Sequence, residues 1–328
     1  MKNLGGSAIK HFDPLLRDID LPLTAAYYPL GVRLNIATNS PEVLEAAAEC
    51  WGGCRQELAY APLEFRVIVQ PEGGLATPPA FRSQGHLYAI VSDAHNFALA
   101  DLQSLFAAVF VSGQTAADHA RLRWFFVEAI AHALLSQRYV VPLHAACVAR
   151  NGSGILLCGA SGAGKSTLSF ACARAGWTFV SDDCTFLLAD ADDRMAIGNP
   201  HQARFRDDAA NLFSELAGHT AQSHPNGKLS IEVPMAAFPE IRTAARCPIN
   251  GVVLLDRRSG SAPCAEALSP ALVAGRLLED GPSYGEEVTA RHETAVRRLL
   301  GVPTYRLQYD AMDDAVGLLS NLIPTTRK

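Results

Sequence analysis

The chain has no basic stretch able to hold a polyanion. Its 28 lysines and arginines stand against 33 acidic residues, for a formal net charge of −5, and the pI is near 6.1. A nucleic-acid partner is therefore not expected, since such proteins gather cations along one face. Long apolar runs are also missing: of the most hydrophobic stretches, 105–111 is only seven residues long and 124–135 is broken by Glu128 and His132, and both fall short of the about 18 apolar positions of a spanning helix. The opening Met1-Lys2-Asn3-Leu4-Gly5-Gly6 has no apolar leader core, so a soluble, cytoplasmic protein with no membrane partner is expected. The 8 cysteines form neither a disulfide framework nor a metal pattern. Cys147, Cys158, Cys172 and Cys184 fall inside apolar strand or helix patterns, as buried reduced thiols do. Cys50 and Cys54 would share a helix face, but no further ligands stand at metal-binding spacing. No internal repeat is visible.

What is present is an ordinary globular composition, 49% hydrophobic and 19% charged over 328 residues, of a length that favours about two domains. Residues 1 to about 116 read as mixed α+β. Alternation at 32–36 and the runs at 65–69 and 86–91 predict strands, the last two separated by a turn-rich segment at 71–79. Ser40-Pro41-Glu42 predicts the start of an alanine-rich helix, with serine as N-cap and proline at the first helical position. The clearest helix is 118–137, where Leu122, Phe125, Phe126, Ala129, Ile130, Ala133 and Leu134 repeat at the spacing of one buried face. Core packing explains that aromatic stripe without a cofactor.

Beyond Gln137 the pattern changes. A strand at 143–149, a turn at Asn151-Gly152-Ser153-Gly154 and a strand at 155–158 predict a hairpin. A glycine-rich loop, a helix at 167–175 stopped by Gly176, and a strand at 177–181 follow. Later come strands at 252–256 and 305–308, with helices at 270–279, at 288–300 and from Asp313. The order is that of an α/β domain. It divides the chain into 1–136, a smaller α+β region for recognition or homo-oligomer contacts, and 137–328, which carries the chemistry.

That chemistry begins with Gly159-Ala160-Ser161-Gly162-Ala163-Gly164-Lys165-Ser166, a G-x-x-x-x-G-K-[ST] phosphate loop. A triphosphate concentrates negative charge that must be met by backbone N–H groups, and glycines let the chain curl so that these point inward. The candidate nucleotide-binding set is Gly159, Ser161, Gly162, Ala163, Gly164, Lys165, Ser166 and Thr167. Lys165 supplies a point charge and Ser166 a hydroxyl for Mg²⁺, while the helix that follows turns its positive end toward the anion. The second signal is Asp182-Asp183, directly after the strand at 177–181. A strand–helix–strand crossover between parallel strands brings both carboxyl ends to one sheet edge, so the pair is expected beside the loop. One carboxylate suits the metal, and the other can accept a proton from an attacking hydroxyl.

From His144 to about Asp183 the chain resembles the catalytic domain of HPr kinase/phosphorylase, a bacterial enzyme that phosphorylates a serine of the carrier protein HPr. The likeness rests on the histidine-bearing strand Leu143-His144-Ala145-Ala146-Cys147-Val148, the phosphate loop, and Arg174-Ala175-Gly176-Trp177-Thr178-Phe179-Val180-Ser181-Asp182-Asp183. Phosphoenolpyruvate carboxykinase shares this phosphate-site architecture. The resemblance implies a P-loop kinase domain of the HPr kinase C-terminal type preceded by the smaller α+β domain, with ATP and Mg²⁺ as cofactors. It implies Lys165 on phosphate, Ser166 and Asp182 on the metal, Asp183 as the base, and His144 near the transferred phosphoryl group. The family's glycine-rich signature after the aspartate pair is not recognisable, Ala160 replaces a residue that is often acidic or polar, and its arginine-rich loop is represented at best by Arg242 and Arg246. Kinase activity is therefore expected, with reverse phosphorolysis left open, on an acceptor that need not be HPr. Divergent kinases of this kind modify other acceptors, including lasso-peptide precursors.

Three readings follow: a kinase for a serine hydroxyl of a protein or peptide, a small-molecule kinase on the same architecture, and a nucleotide-dependent switch. Asp183 favours the kinases, because a switch needs no base aimed at an acceptor. Arg204, Arg206 and Lys228 are candidates for neutralising charge or meeting the acceptor, with surface solvation as the plainer explanation. The acidic run 190–193 reads as a solvated loop, and a chain beginning near Ser136 is expected to carry the nucleotide site alone.

Overall fold

The computed structural model describes residues 20–191, 194–219, 221–223, 229–279 and 285–323. Lys228 and the Asp192-Asp193 part of the acidic run lie outside them.

The N-terminal region builds a seven-stranded sheet from β1 (Leu23–Tyr27), β2 (Leu34–Thr38), β3 (Leu63–Gln70), β4 (Ala80–Gln84), β5 (Leu87–Val91), β6 (Phe97–Asp101) and β7 (Phe106–Ser112), in the order β1-β2-β3-β7-β6-β5-β4. Helix α1 (Pro41–Trp51) connects β2 to the parallel β3 and buries Val43, Ala46, Ala47, Cys50 and Trp51. Pro41 stands at its first turn as expected, but the Ser40 hydroxyl donates to Glu42 and does not cap the backbone. Short helix α2 (Gly113–Ala117) leads into the expected long helix. This runs as α3 (His119–Arg121), a π-helical turn over Leu122–Val127, and α4 (Glu128–Arg138), and it opens with the Asp118 carboxylate accepting from the Arg121 N–H. The π turn widens the buried face: besides most of the predicted stripe, Arg123, Val127, Ala131 and Leu135 are buried. Such turns recur at functional sites because they re-aim side chains.

The second region is a mixed sheet of ten strands. They are β8 (Val140–Leu143), β9 (Ala145–Arg150), β10 (Ser153–Cys158), β11 (Thr178–Ser181), β12 (Thr185–Leu188), β13 (Met195–Ile197), β17 (Arg242–Thr243), β18 (Arg246–Arg257), β19 (Cys264–Ala267) and β20 (Thr304–Tyr309). The order is β17-β11-β9-β10-β18-β13-β12-β8, with β20 on β18 and β19 on β20. A small sheet of β14 (Gln202–Phe205), β15 (Gln222–Ser223) and β16 (Leu229–Pro234) stands beside it. Helices α5 (Lys165–Arg174), α6 (Pro270–Glu279), α7 (Glu286–Leu299) and α8 (Met312–Leu322) complete the fold. The class is mixed α/β, and no helix among the described residues is long and apolar enough to cross a membrane.

The expected hairpin forms: β9 and β10 pair antiparallel through Asn151 and Gly152, whose φ values of 53° and 78° suit a tight turn. The expected single strand at 143–149 is split at His144, with β8 pairing β12 on one side and β9 pairing β10 on the other. Both β10 and β11 run antiparallel to β9, which lies between them. They are therefore parallel to each other, and their carboxyl ends share one edge with the start of β9. That edge collects the phosphate loop, Asp182-Asp183 and His144. One thiol differs from expectation: Cys184 lies in the turn between β11 and β12 and is exposed, because the chain leaves the sheet at Asp182.

The hydrophobic core of the first sheet does not end at residue 136. Ile130, Leu134 and Leu135 belong to one buried cluster with Phe186, Leu188 and Ile197 from β12 and β13.

Candidate active site

The phosphate loop takes the shape that its glycines allow. Gly162 and Gly164 have φ of 89° and 96°, left-handed conformations that a side chain disfavours, and Gly164 directly precedes α5. Lys165 opens the helix and is only 4% exposed. Its Nζ donates to the Gly159 carbonyl at 2.9 Å, with Ala160 O at 3.5 Å, and lies 3.5 Å from Asp183 Oδ1. The Tyr309 hydroxyl, at the end of β20, donates to Ala163 O at 3.4 Å. Ser161, Gly162, Gly164, Lys165, Ser166 and Thr167 line a cleft of about 1050 Å³.

Asp182, Asp183 and His144 line the same cleft. His144 Nε2 is 3.0 Å from Asp183 Oδ1, so this oxygen sits between an imidazole and the Lys165 ammonium. Burial pushes the Asp183 carboxyl up, but the His144 hydrogen bond and the Lys165 charge outweigh it and hold the group below the usual carboxylate range. Its side chain nevertheless keeps 57% of its surface open. Asp182 is different. Its Oδ2 accepts the Arg204 backbone N–H at 2.7 Å, and burial in the cleft floor, with help from the Asp183 charge, pushes the carboxyl up to about 6 against the pull of Arg204. Neighbouring carboxyls held on opposite sides of their ordinary value are suited to different tasks.

The arginine candidates separate. Arg206 reaches the loop, with Nη2 3.4 Å from Ser161 Oγ and 3.0 Å from where a Cβ on Gly162 would stand. Arg204 is committed elsewhere: its Nε donates to Glu232 at 2.9 Å, its Nη2 lies 3.7 Å from Glu128, and its guanidinium lies over the Trp124 ring at 4.5 Å. Arg242 donates to Gly176 O, and Arg246 lies 3.8 Å from Glu57, so neither points to the phosphate loop. Sequence spacing had no means to reveal the paired charges beneath the site, Arg123 with Glu49 and Glu232 at 3.4 and 3.1 Å, or the part of the cleft walled by Leu30, Cys50, Trp51, Cys54 and Glu57 of the N-terminal region. These residues meet only through the tertiary fold.

Among the described residues no group of three or more His, Cys, Asp or Glu side chains forms a metal cage. The donors at hand, a serine hydroxyl and one carboxylate, fit a small hard cation that keeps its waters and phosphate ligands.

The family described as SynChlorMet cassette protein ScmC matches residues 117–312. The chain belongs to that family. The matched span takes in the long helix, the phosphate loop and the aspartate pair, and leaves β1 to β7 outside it. No curated protein sequence matches the chain. Among solved structures it is similar to the HPr(Ser) kinase/phosphatase from Coxiella burnetii at 13% identity, over 55% of this chain and 94% of that one, with a TM-score of 0.29. A likeness that faint supports no assignment by itself.

Proposed function

We propose that the chain is an ATP-dependent phosphotransferase that moves the γ-phosphoryl group to a hydroxyl, most consistent with a serine of a protein or peptide. The observation that carries this reading is the convergence of Lys165, Asp183 and His144 on a phosphate loop in one cleft. Inward N–H groups of the loop and the Lys165 ammonium hold the triphosphate. Ser166 and Asp182 would hold a magnesium ion, which would supply neutralisation of the phosphate charge.

The acceptor oxygen attacks the γ-phosphorus as the bond to the β-phosphate oxygen breaks, and ADP leaves. Asp183, ionised at neutral pH by its two cationic or donor neighbours, orients the hydroxyl and accepts its proton late, as suits a loose transition state. His144 fixes the carboxylate's orientation through Oδ1. Arg206 supplies a further positive charge over Ser161 and Gly162, where charge builds up. The small-molecule reading uses the same residues and differs only in the acceptor. A pure switch leaves the exposed Asp183 carboxylate without a task.

The test is incubation of the full chain with γ-labelled ATP, Mg²⁺ and serine peptides. Label should appear on the serine hydroxyl with release of ADP. Tight nucleotide binding with no transfer to peptides, small alcohols or water would contradict the proposal and favour a switch.

A further inference from the structure

Strand β14 runs past the aspartate pair, and its approach is fixed at two points. The Arg204 N–H donates to Asp182 Oδ2 at 2.7 Å. Six residues earlier, Gly198 packs so closely on the end of β11 that a Cβ there would stand 2.2 Å from Val180 O and 2.9 Å from Ser181 Cβ. The segment between them, Asn199-Pro200-His201, therefore runs beside Asp182, and all three residues line the cleft. His201 is three residues from Arg204, about 10 Å of extended chain. The loop after α1 meets this segment from the N-terminal region: a Cβ on Gly53 would stand 3.1 Å from His201 Cε1. Arg55, two residues further on, lines the same cleft.

Charge balance singles out Arg55. Arg204 is matched by Glu232 at 2.9 Å and Glu128 at 3.7 Å, and Glu57 faces Arg246 at 3.8 Å. Arg55 is exposed to the cleft and makes no ion pair or hydrogen bond among the described residues. Burial lowers the His201 pKa, so the local excess is one positive charge, that of the guanidinium. Asn199 Oδ1 accepts the His201 backbone N–H at 3.1 Å, which leaves its Nδ2 group free to donate. An apolar group laid here would strip water from these donors and give nothing back. A sugar offers only neutral acceptors. A carboxylate replaces the lost water with charge-assisted hydrogen bonds in the planar geometry that a guanidinium matches.

We infer that Arg55, with Asn199 and His201, anchors a carboxylate of the acceptor, set about three residues from the hydroxyl presented at Asp183, so that the acceptor is an acidic peptide. This rests on the phosphotransferase reading, and it gives the N-terminal region a direct part in substrate choice.

The test uses the full chain and three peptides: N-acetyl-Glu-Gly-Gly-Ser-Gly-Gly-Glu-amide, its analogue with glutamine for both glutamates, and that glutamine peptide with a free C-terminal carboxylate. The glutamate peptide should be phosphorylated with kcat/KM about three- to tenfold above the glutamine amide, the ratio expected of one charge-assisted contact that stays partly solvated. Raised salt should shrink the ratio. Arg55→Gln should bring it to about one, and Arg55→Glu below one. A preference shown by the free-acid peptide alone would name the chain end as the source of the carboxylate and support the site. Equal use of all three peptides, or a preference that persists in Arg55→Glu, overturns the inference and leaves the kinase reading standing. Calorimetric titration of the glutamate peptide, the glutamine amide and the free-acid peptide separates the two claims, with Mg·ADP present to keep peptide carboxylates off the phosphate loop. Tighter binding of a carboxylate peptide, lost in Arg55→Glu, with no phosphorylation of any peptide would sink the kinase reading and keep the subsite. Equal binding of all three would overturn the inference.

Discussion

Replacing Asp183 by asparagine removes one charge at the point where three groups meet. In the native site Asp183 Oδ1 is 3.0 Å from His144 Nε2 and 3.5 Å from Lys165 Nζ. The amide keeps the shape and can still accept a hydrogen bond, but it cannot take a proton. If Asp183 is the base, transfer to a peptide acceptor should fall by about 10²–10⁴, the usual contribution of general-base catalysis, or about 2.7–5.4 kcal/mol of barrier. Mg·ATP affinity should stay within about a few-fold, because Ser166, Asp182 and the loop remain and Lys165 loses a competing anion. Asp182→Asn should do the opposite and weaken metal and nucleotide binding together, since an amide oxygen is a poor ligand for a hard cation. Calorimetric titration of Mg·ATP, run beside a phosphotransfer assay, reads both effects. Equal loss of binding in the two variants would show a joint metal site, and unchanged transfer in Asp183→Asn would remove the base from the account.

Ser166→Ala should raise the Mg²⁺ concentration needed for half-maximal nucleotide binding; an unchanged requirement would take the hydroxyl off the metal. Metal binding should also be proton-linked. Asp182 stands at about 6 and must be ionised to hold a cation, so apparent Mg²⁺ affinity should be level above pH 7 and fall roughly tenfold per unit below about pH 6. Affinity that stays flat to pH 5 would refute this. A chain trimmed to begin at Ser136 uncovers Phe186, Leu188 and Ile197, which share a core with the helix removed. The loss is on the order of 1.5–3 kcal/mol for each large side chain, against about 5–15 kcal/mol of stability for a typical domain. It should melt well below the full chain, and equal melting temperatures would refute the shared core.

The edge that carries the candidate site was legible because its residues are local in the chain. Loop, helix and the strand ending in Asp182-Asp183 lie within one supersecondary unit, and the parallel relation of β10 and β11 carries their ends together even with β9 between them. His144 was legible only as a histidine on a strand; its place against Asp183 depends on the break there and on β9 running antiparallel. The long helix was read correctly from Asp118 onward, but its π turn was not, because a shift from i+4 to i+5 hydrogen bonding leaves the apolar spacing almost unchanged. Strands β1, β4, β6 and β7 also went unread. β4 is exposed along its length, so its alternation had little contrast, and β7 is buried on both faces over its second half, so it reads as a plain apolar run. Arg204 looked like a surface cation with access to phosphate. In the structure it is held between Glu232, Glu128 and Trp124 and hydrogen-bonds Asp182 through its backbone N–H, a use of the main chain that side-chain chemistry does not announce.

The central claim is that this phosphate loop performs ATP-dependent transfer, and the nearly buried Lys165 is its most direct probe. Label transfer from γ-labelled ATP should be measured for the native chain and for Lys165→Ala at saturating nucleotide. The account predicts a loss of several orders of magnitude, roughly 10³-fold or more, because a preorganised charge facing the transferring group is removed. Near-native turnover in Lys165→Ala would contradict it.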